Sequence, residues 1–204
     1  MSCFINGVSV RAKIVIFQYL CAVTDRKLRN IELGRVRPEE YRLLPPSGVV
    51  VVLDNVRSAH NVGSAFRSAD AFKADRMYLC GICACPPSAE IHKSALGAEG
   101  SLPWVHYDDT LEAVRSLREE GYTIISIEQT ERAVELQDFR PQSGGRFALI
   151  FGNEVDGVRQ DVVDASDLSL VIRQFGSKHS LNVSVSVGIV LWQLRQFVSG
   201  TDID

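Results

Sequence analysis

The feature that most constrains the fold is an alternation of short apolar runs with helix-like segments from residue 48 onwards. Val49–Leu53 consists of four valines and a leucine, a pattern typical of a strand buried on both faces of a sheet. Further strands are predicted at residues 77–80, 104–106, 122–127, 147–151 and 168–172. Helices are predicted between them, at residues 62–72, 91–96, 110–120, 158–163 and 182–197. Strands that alternate with helices predict an α/β domain with a mostly parallel sheet flanked by helices.

The first 47 residues lack this alternation and predict a partly helical N-terminal extension in front of a domain at residues 48–200. Pro38–Tyr41 predicts a short helix with proline in its first turn, and the Pro-Pro-Ser-Gly sequence at 45–48 then breaks the chain. Residues 1–24 fit no regular pattern and are expected to be a loosely attached tail. The basic segment Arg26–Arg29 is expected to be a solvated helix face, with contact to a phosphate backbone as the alternative.

Length and charge limit the classes of function. A chain of 204 residues is expected to form one main domain. Its net charge of −3 excludes nucleic-acid binding by bulk charge, so an RNA partner needs a local basic face. Two segments qualify: residues 1–47, with eight Lys/Arg against four Asp/Glu, and residues 168–200, which have no acidic residue. No apolar run reaches the roughly 20 residues that span a bilayer, so no membrane association is expected.

The cysteines indicate a reducing compartment. There are five, an odd number, and no secretory signal is evident, so reduced thiols and a cytoplasmic protein are expected. Cys80, Cys83 and Cys85 include a CxxC pair. A structural zinc site needs four ligands, and no second such pair accompanies this one. We therefore expect buried thiols and no metal.

Three loops that follow predicted strands carry unusual residues, and parallel sheets bind ligands at the carboxyl ends of their strands. The first contains Asn61 and Arg67 at the opening of a helix, which favours an anion site; a capped helix with a surface arginine is the simpler alternative. In the second, Phe151–Gly157, glycines permit either close approach of a ligand or a plain turn. In the third, Ile172–Ser184, a helix cap explains only one of several small polar residues. GxGxxG and Walker phosphate motifs are absent from the sequence.

In their order and spacing, these loops resemble the SpoU, or TrmH-like, family of SPOUT methyltransferases. The matching motifs are Asn61-x5-Arg67, Phe151-Gly-Asn-Glu154-x2-Gly157, and Ile172 followed by Ser180-Leu-Asn-Val-Ser184. The segment Lys93–Glu99 is similar to one that the family carries between its first and second motifs. The resemblance covers about residues 26 to 198. One departure is Arg173-Gln174, where many members have Pro-Met.

The resemblance implies a C-terminal trefoil knot and a homodimer with both active sites near the subunit interface. It implies S-adenosylmethionine as the cofactor and methyl transfer to a ribose 2′-hydroxyl of tRNA or rRNA as the reaction; the short N-terminal segment slightly favours tRNA. The implied cofactor-binding residues are Glu128, Gln129, Gly152, Asn153, Ile172, Gln174, Leu181 and Asn182. The implied catalytic residues are Asn61, Arg67, Glu154, Ser180 and Asn182.

The reaction requires the ribose hydroxyl to attack a methyl group on a sulfonium and to lose its proton. Holding both groups in a near-attack geometry lowers the barrier. Because a guanidinium scarcely deprotonates in proteins, Arg67 is expected mainly to clamp a phosphate and stabilise the developing alkoxide. A phosphate oxygen or a deprotonated Arg67 is the expected proton acceptor, and Glu154 is expected to orient the loop or Arg67. The alternatives are an RNA base methyltransferase of the same knotted fold and a catalytically silent RNA-binding dimer.

Overall fold

The computed structural model describes residues 25–142 and 144–197, and these divide into two compact units after Val36. The prediction of a tail at residues 1–24 lies outside the described residues. In the first unit, one turn of 3-10 helix spans Asn30–Leu33. Arg26–Arg29 is irregular and exposed, so the predicted helix face is wrong. The reason is local: the Glu32 carboxylate accepts the backbone N–H of Arg29 at 2.7 Å and starts the turn after it.

The second unit contains a sheet of seven strands within the described residues. In chain order the strands are β1 (Val49–Asp54), β2 (Arg76–Cys80), β3 (Trp104–Tyr107), β4 (Thr123–Ile127), β5 (Val134–Glu135), β6 (Phe147–Phe151) and β7 (Leu168–Val171). Their spatial order is β3-β2-β1-β6-β4-β7-β5, and every neighbouring pair is parallel. All carboxyl ends therefore meet at one edge of the sheet.

Helices cover both faces of this sheet. They are α1 (Pro38–Tyr41), α2 (Ala59–Ala71), α3 (Ala89–Ala95), α4 (Ala98–Ser101), α5 (Thr110–Glu119), α6 (Gln160–Asp164) and α7 (Val183–Arg195). Val51 and Leu53 of β1 pack in a core with α2 and α7, whereas Val50 and Val52 pack in a second core with α5 and α6. Successive side chains of a strand point to opposite faces, so each face of β1 packs into one of the two cores. Both faces are therefore apolar, which explains the uninterrupted apolar run.

The predicted α/β architecture is confirmed. Each predicted strand and helix of the domain is present, with ends that differ by a few residues. Sequence patterns did not predict β5, α4 or the 3-10 turn, which are two to four residues long. Among the described residues, no helix is long and apolar enough to cross a bilayer.

The second unit begins at Arg37, whereas the sequence predicted a division after residue 47. Helix α1 forms as predicted, with Pro38 in its first turn. Its Tyr41 is buried in the larger core, and the phenolic O–H donates to the carbonyl of Ala74 at 2.9 Å. Because Tyr41 is part of this core, the segment from Arg37 to Ser47 belongs to the compact unit.

Candidate active site

A cavity of about 480 Å³ lies at the carboxyl edge of the sheet. Its walls come from the loops that follow β4, β6 and β7 and from the first turn of α7. The walls include every residue predicted from the resemblance to bind the cofactor, namely Glu128, Gln129, Gly152, Asn153, Ile172, Gln174, Leu181 and Asn182. Glu154 and Ser180, predicted to be catalytic, also line it. The volume is in the range of small-molecule sites.

The loop after β6 forms a tight cradle that only glycine permits at two positions. Asn153 and Gly157 exchange backbone hydrogen bonds of 3.1 and 3.2 Å, which folds the loop back on itself. A Cβ atom on Gly152 would lie 1.9 Å from the carbonyl carbon of Gly157. Gly157 has a φ of +69°, and its Cβ would lie 2.2 Å from a carboxylate oxygen of Glu128. The glycines of the second motif therefore allow this loop to fold back on itself and to pack against Glu128.

Two side chains of the loop after β4 join the three walls. Glu128 accepts the N–H of Gln129 at 2.8 Å and that of Val158 at 2.9 Å, which ties this loop to the one after β6. Gln129 Nε2 donates to the carbonyl of His179 at 2.6 Å, which ties it to the loop after β7. The cavity is thus held by hydrogen bonds among loops that are distant in sequence.

A polar cluster of Asn61, Glu154 and Asn182 joins the cavity to α2. Asn61 Nδ2 donates to Glu154 Oε1 at 2.7 Å, and Asn61 Oδ1 accepts from Asn182 Nδ2 at 3.1 Å. Asn61 is itself 8% exposed. Asn182 also caps α7 through its Oδ1, which accepts the N–H of Ser184 at 2.9 Å. One residue from each of the three motifs therefore meets in one hydrogen-bonded cluster.

The environment of Glu154 favours its ionised form. Partial burial acts to raise the pKa of this carboxyl, but the hydrogen bond from Asn61 and those from the backbone outweigh it and hold the pKa below its ordinary value. The backbone donors include the N–H groups of Arg57 and Ser58, at 3.2 and 3.3 Å. An ionised Glu154 therefore acts as a hydrogen-bond acceptor that holds the loop after β1 against the loop after β6.

Ser180 and Arg67, both predicted to be catalytic, lie outside this cluster. Ser180 is an exposed residue on the cavity wall. Arg67 lies on α2 with an exposed side chain and does not line the cavity. Six residues on a helix correspond to a rotation of about 600°, which leaves Arg67 about 120° around α2 from Asn61. The structure thus brings together Asn61, Glu154 and Asn182 but not Arg67.

Asp54, at the end of β1, was not singled out from the sequence. It is fully buried and accepts three hydrogen bonds: from Asn55 Nδ2 at 2.9 Å, from Thr110 Oγ1 at 2.5 Å and from the N–H of Arg159 at 2.9 Å. It therefore fastens the loop after β6 to the centre of the sheet. The available signal was an acidic residue that directly follows an all-apolar strand, where a buried charge needs partners.

The departure from the family pattern has a structural counterpart. Arg173 Nη2 lies 2.8 Å from Glu135 Oε1 on β5, and Gln174 lines the cavity. The ion pair attaches the start of the loop after β7 to the edge strand.

The predicted buried thiols are confirmed for Cys80 and Cys83, while Cys85 is half-buried. Burial raises the pKa of Cys83 to about 12 against the opposing effect of its hydrogen bonds. Its Sγ accepts the N–H of Val56 at 3.1 Å and so supports the loop after β1. Among the described residues, no group of three His, Cys, Asp or Glu side chains is arranged to hold a metal ion.

Residues 48–192 match the SpoU rRNA Methylase family. The chain belongs to this family. The SpoU resemblance inferred from the three motifs is therefore confirmed, and the matched residues contain the whole cavity and the polar cluster.

Relatives of the SpoU chain carry names that describe their activity. This chain is 31% identical, over 185 residues, to the 23S rRNA (guanosine-2′-O-)-methyltransferase RlmB of Escherichia coli K12. The match covers 86% of this chain and 75% of that protein. This chain is 30% identical over 152 residues to the RlmB of Neisseria meningitidis serogroup B, covering 74% of this chain. The match spans 59% of the Neisseria protein's length.

Solved structures share the fold. The A. aeolicus TrmH/SpoU tRNA modifying enzyme superposes with a TM-score of 0.69 at 23% identity, covering 78% of this chain and 81% of that one. An AdoMet-bound rRNA methyltransferase from Sinorhizobium meliloti gives a TM-score of 0.69 at 24% identity, covering 76% and 62%. These similarities show a common architecture for the sheet and its flanking helices.

Proposed function

We propose that this SpoU chain transfers a methyl group from S-adenosylmethionine to the 2′-hydroxyl of a ribose in ribosomal RNA. The observation that carries the proposal is the polar cluster of Asn61, Glu154 and Asn182 beside a glycine-lined cavity. The names of the RlmB relatives support ribosomal over transfer RNA, contrary to the slight preference drawn from the N-terminal segment. A cytoplasmic location is part of the proposal and agrees with the buried reduced thiols.

The cavity residues fit the cofactor. The backbone at Gly152, Ile172 and Leu181 would hold the adenine, as the family resemblance implies, and all three positions line the cavity. Glu128, Gln129, Asn153, Gln174 and Asn182 would form the remaining wall. When bound, S-adenosylmethionine supplies an electrophilic methyl group on a sulfonium. The walls would fix the direction from which the ribose can approach.

The catalytic residues act on the ribose and on each other. Ser180 and Asn182 would position the ribose hydroxyl at the cavity mouth. Asn61 and Glu154 hold Asn182 and the loop after β6 in place, so Glu154 orients and does not take the proton. Arg67 would clamp a phosphate of the bound RNA through its exposed guanidinium, since it does not line the cavity in which the methyl group would lie. A phosphate oxygen is the proposed proton acceptor.

A homodimer and a C-terminal trefoil knot are parts of this proposal. Helix α7 exposes Val185 at 48% and Trp192 at 57%, seven residues apart and hence on one side of the helix. A second copy of the chain would cover this apolar side. The position of β6 between β1 and β4, with β7 beyond β4, is compatible with threading of the C-terminal segment.

Methylation of unmodified RNA tests the proposal. Ribosomal RNA and tRNA that lack the modification are incubated with the protein and methyl-labelled S-adenosylmethionine, and the labelled nucleoside is identified by mass spectrometry after digestion. We expect a 2′-O-methylated nucleoside from ribosomal RNA. A methylated base would contradict ribose chemistry, label in tRNA alone would contradict the substrate, and cofactor binding without label in either RNA would favour a silent RNA-binding module.

Substitution of Arg67 by lysine tests whether the guanidinium binds a phosphate through two hydrogen bonds or only through its positive charge. If the planar guanidinium binds phosphate through two parallel hydrogen bonds, Arg67→Lys should lose most of the transfer rate while the affinity for S-adenosylmethionine stays the same. Arg67→Lys with nearly full activity would refute bidentate clamping. Glu154→Gln is the companion variant, and it should retain more activity than Arg67→Ala.

A further inference from the structure

The loop between β7 and α7 carries an exposed aromatic residue that neither the cavity nor the polar cluster uses. The side chain of Phe175 is 90% exposed. Its neighbours in the loop are Gln174, Gly176 and Ser177, so no apolar side chain adjoins it in sequence. Covering this ring with a ligand would remove a large apolar surface from water and is therefore favourable.

Phe175 lies at the rim of the cavity. The residue before it, Gln174, lines the cavity, and so do His179, Ser180 and Leu181 after it. The loop is anchored on both sides of Phe175, by the Arg173–Glu135 ion pair at 2.8 Å and by the hydrogen bond of 2.6 Å from Gln129 to the carbonyl of His179. The ring is therefore displayed by an anchored loop whose flanking residues line the cavity.

The charge around Phe175 suits a polyanion. From Leu168 to Gly200 the sequence contains no acidic residue, and Lys178 and His179 are exposed, while the exposed Arg173 is ion-paired with Glu135. Single-stranded RNA is bound by cationic side chains on its phosphates together with aromatic rings on which bases stack. A protein partner is a poorer match, because the centres of protein interfaces are depleted of lysine and gather several apolar residues.

We propose that Phe175 stacks on a nucleobase of the RNA close to the nucleotide whose ribose enters the cavity, while Lys178 binds a phosphate of the same strand. The inference rests on the proposed function, because it takes RNA as the substrate. The proposal assigns recognition of the flanking RNA to Phe175 and Lys178 in the loop after β7. These two residues are not among those proposed to hold the cofactor.

Binding of a short single-stranded RNA oligonucleotide that contains 2-aminopurine tests the stacking role. The wild-type protein should quench the 2-aminopurine fluorescence, and Phe175→Ala should weaken binding by about 5-fold to 100-fold, as expected for the loss of one stacked base. The slope of log affinity against log salt should stay the same in Phe175→Ala. In Lys178→Ala that slope should become shallower by about 0.7, since one phosphate contact is removed.

Conservative variants distinguish stacking from simple apolar contact. Phe175→Tyr should bind and quench like the wild type, whereas Phe175→Leu, similar in size but not aromatic, should resemble Phe175→Ala. Leu43→Ala is the matched control, because Leu43 is 84% exposed and lies outside the cavity loops. It should leave RNA binding unchanged.

Three results would overturn the inference: wild-type affinity in Phe175→Ala, wild-type affinity in Phe175→Leu, or a change of sedimentation coefficient in Phe175→Ala that shows the ring to be covered by a second copy of the chain. Binding of S-adenosylmethionine and methyl transfer to ribosomal RNA by the wild type are measured in parallel. Loss of the proposed function would appear there, in the wild type, whereas failure of the stacking role would appear only in the Phe175 variants.

Discussion

Asn61 connects the polar cluster because its amide both donates and accepts. The Nδ2 group donates to Glu154 and the Oδ1 atom accepts from Asn182, with each bond at 3.1 Å or less. A carboxylate offers only acceptors, and a hydroxyl is too short to span the same gap. The identity of this residue is therefore fixed by its two partners, whatever its contact with the RNA.

The substitution Asn61→Asp tests this linking role. It removes the donor to Glu154 and places two carboxylates face to face, which should displace both the loop after β6 and Asn182. We expect methyl transfer to fall by about 100-fold, a loss typical of one preorganised polar group. The affinity for S-adenosylmethionine, measured by calorimetry, should weaken as well, because Asn182 and the loop after β6 line the proposed cofactor site. Near-normal transfer in a variant that unfolds at the wild-type temperature would contradict the role.

Glu154 should make stability depend on pH. Its pKa is lower in the folded state than in the unfolded chain, so its contribution is present above the unfolded value, about 4, and is lost as pH falls through the folded value. Glu154→Gln should therefore be less stable than the wild type at pH 7, with the difference narrowing below about pH 4. Urea unfolding of both proteins at the two pH values measures this difference, and a gap that widens in acid would contradict it.

At the scale of elements, Asp54 joins the end of β1 to the start of α5 and to the loop after β6. The three donors that it accepts come from Asn55, Thr110 and Arg159. These bonds hold segments that are far apart in sequence in a fixed arrangement beside the cavity.

Asp54→Asn replaces one acceptor oxygen by a donor that faces other donors. The free energy of unfolding should fall by about 1–3 kcal/mol, the range for an unsatisfied buried polar group, and the affinity for S-adenosylmethionine should weaken with it. Asp108→Asn is the control, because the Asp108 side chain is 99% exposed. Equal unfolding curves for the two variants would show that Asp54 does not fasten the loop.

Sequence patterns predicted elements whose burial is regular and missed those without such a pattern. The run Val49–Leu53 determined a central strand, but β5 has only Val134 and Glu135, and it forms because Val134 pairs with Leu170 of β7. Strand order has no local signal in the sequence and follows from long-range packing. The helix predicted at residues 26–29 does not form, because the Glu32 carboxylate accepts the backbone N–H of Arg29 and starts a turn after it.

For the site, motif residues were predictable because their types and order resemble a family. The backbone donors of Arg57 and Ser58 that hold Glu154 were not, since an N–H group leaves no trace in residue identity. Arg67 was assigned to the same site as Asn61 from the family resemblance. On a regular helix the six-residue spacing turns Arg67 to another side than Asn61, and it does not line the cavity.

For the molecule as a whole, the exposed side of α7 predicts the oligomeric state. Trp192→Glu places a charge on the apolar surface that Val185 and Trp192 form, so a dimer should dissociate to a monomer in sedimentation velocity experiments. Leu43→Glu adds the same charge at another exposed apolar position and should leave the sedimentation coefficient unchanged. A monomeric wild type would contradict the proposed dimer outright.

The hydrogen bonds of the site join residues that are far apart along the chain, and this has a kinetic consequence. Asn61 and Glu154 are separated by 93 residues, and Asn61 and Asn182 by 121. Contacts of such high sequence separation form slowly during folding, because long loops must close before any gain is made. During synthesis the cluster cannot close before Asn182 has left the ribosome, so the site cannot form on the nascent chain before that point.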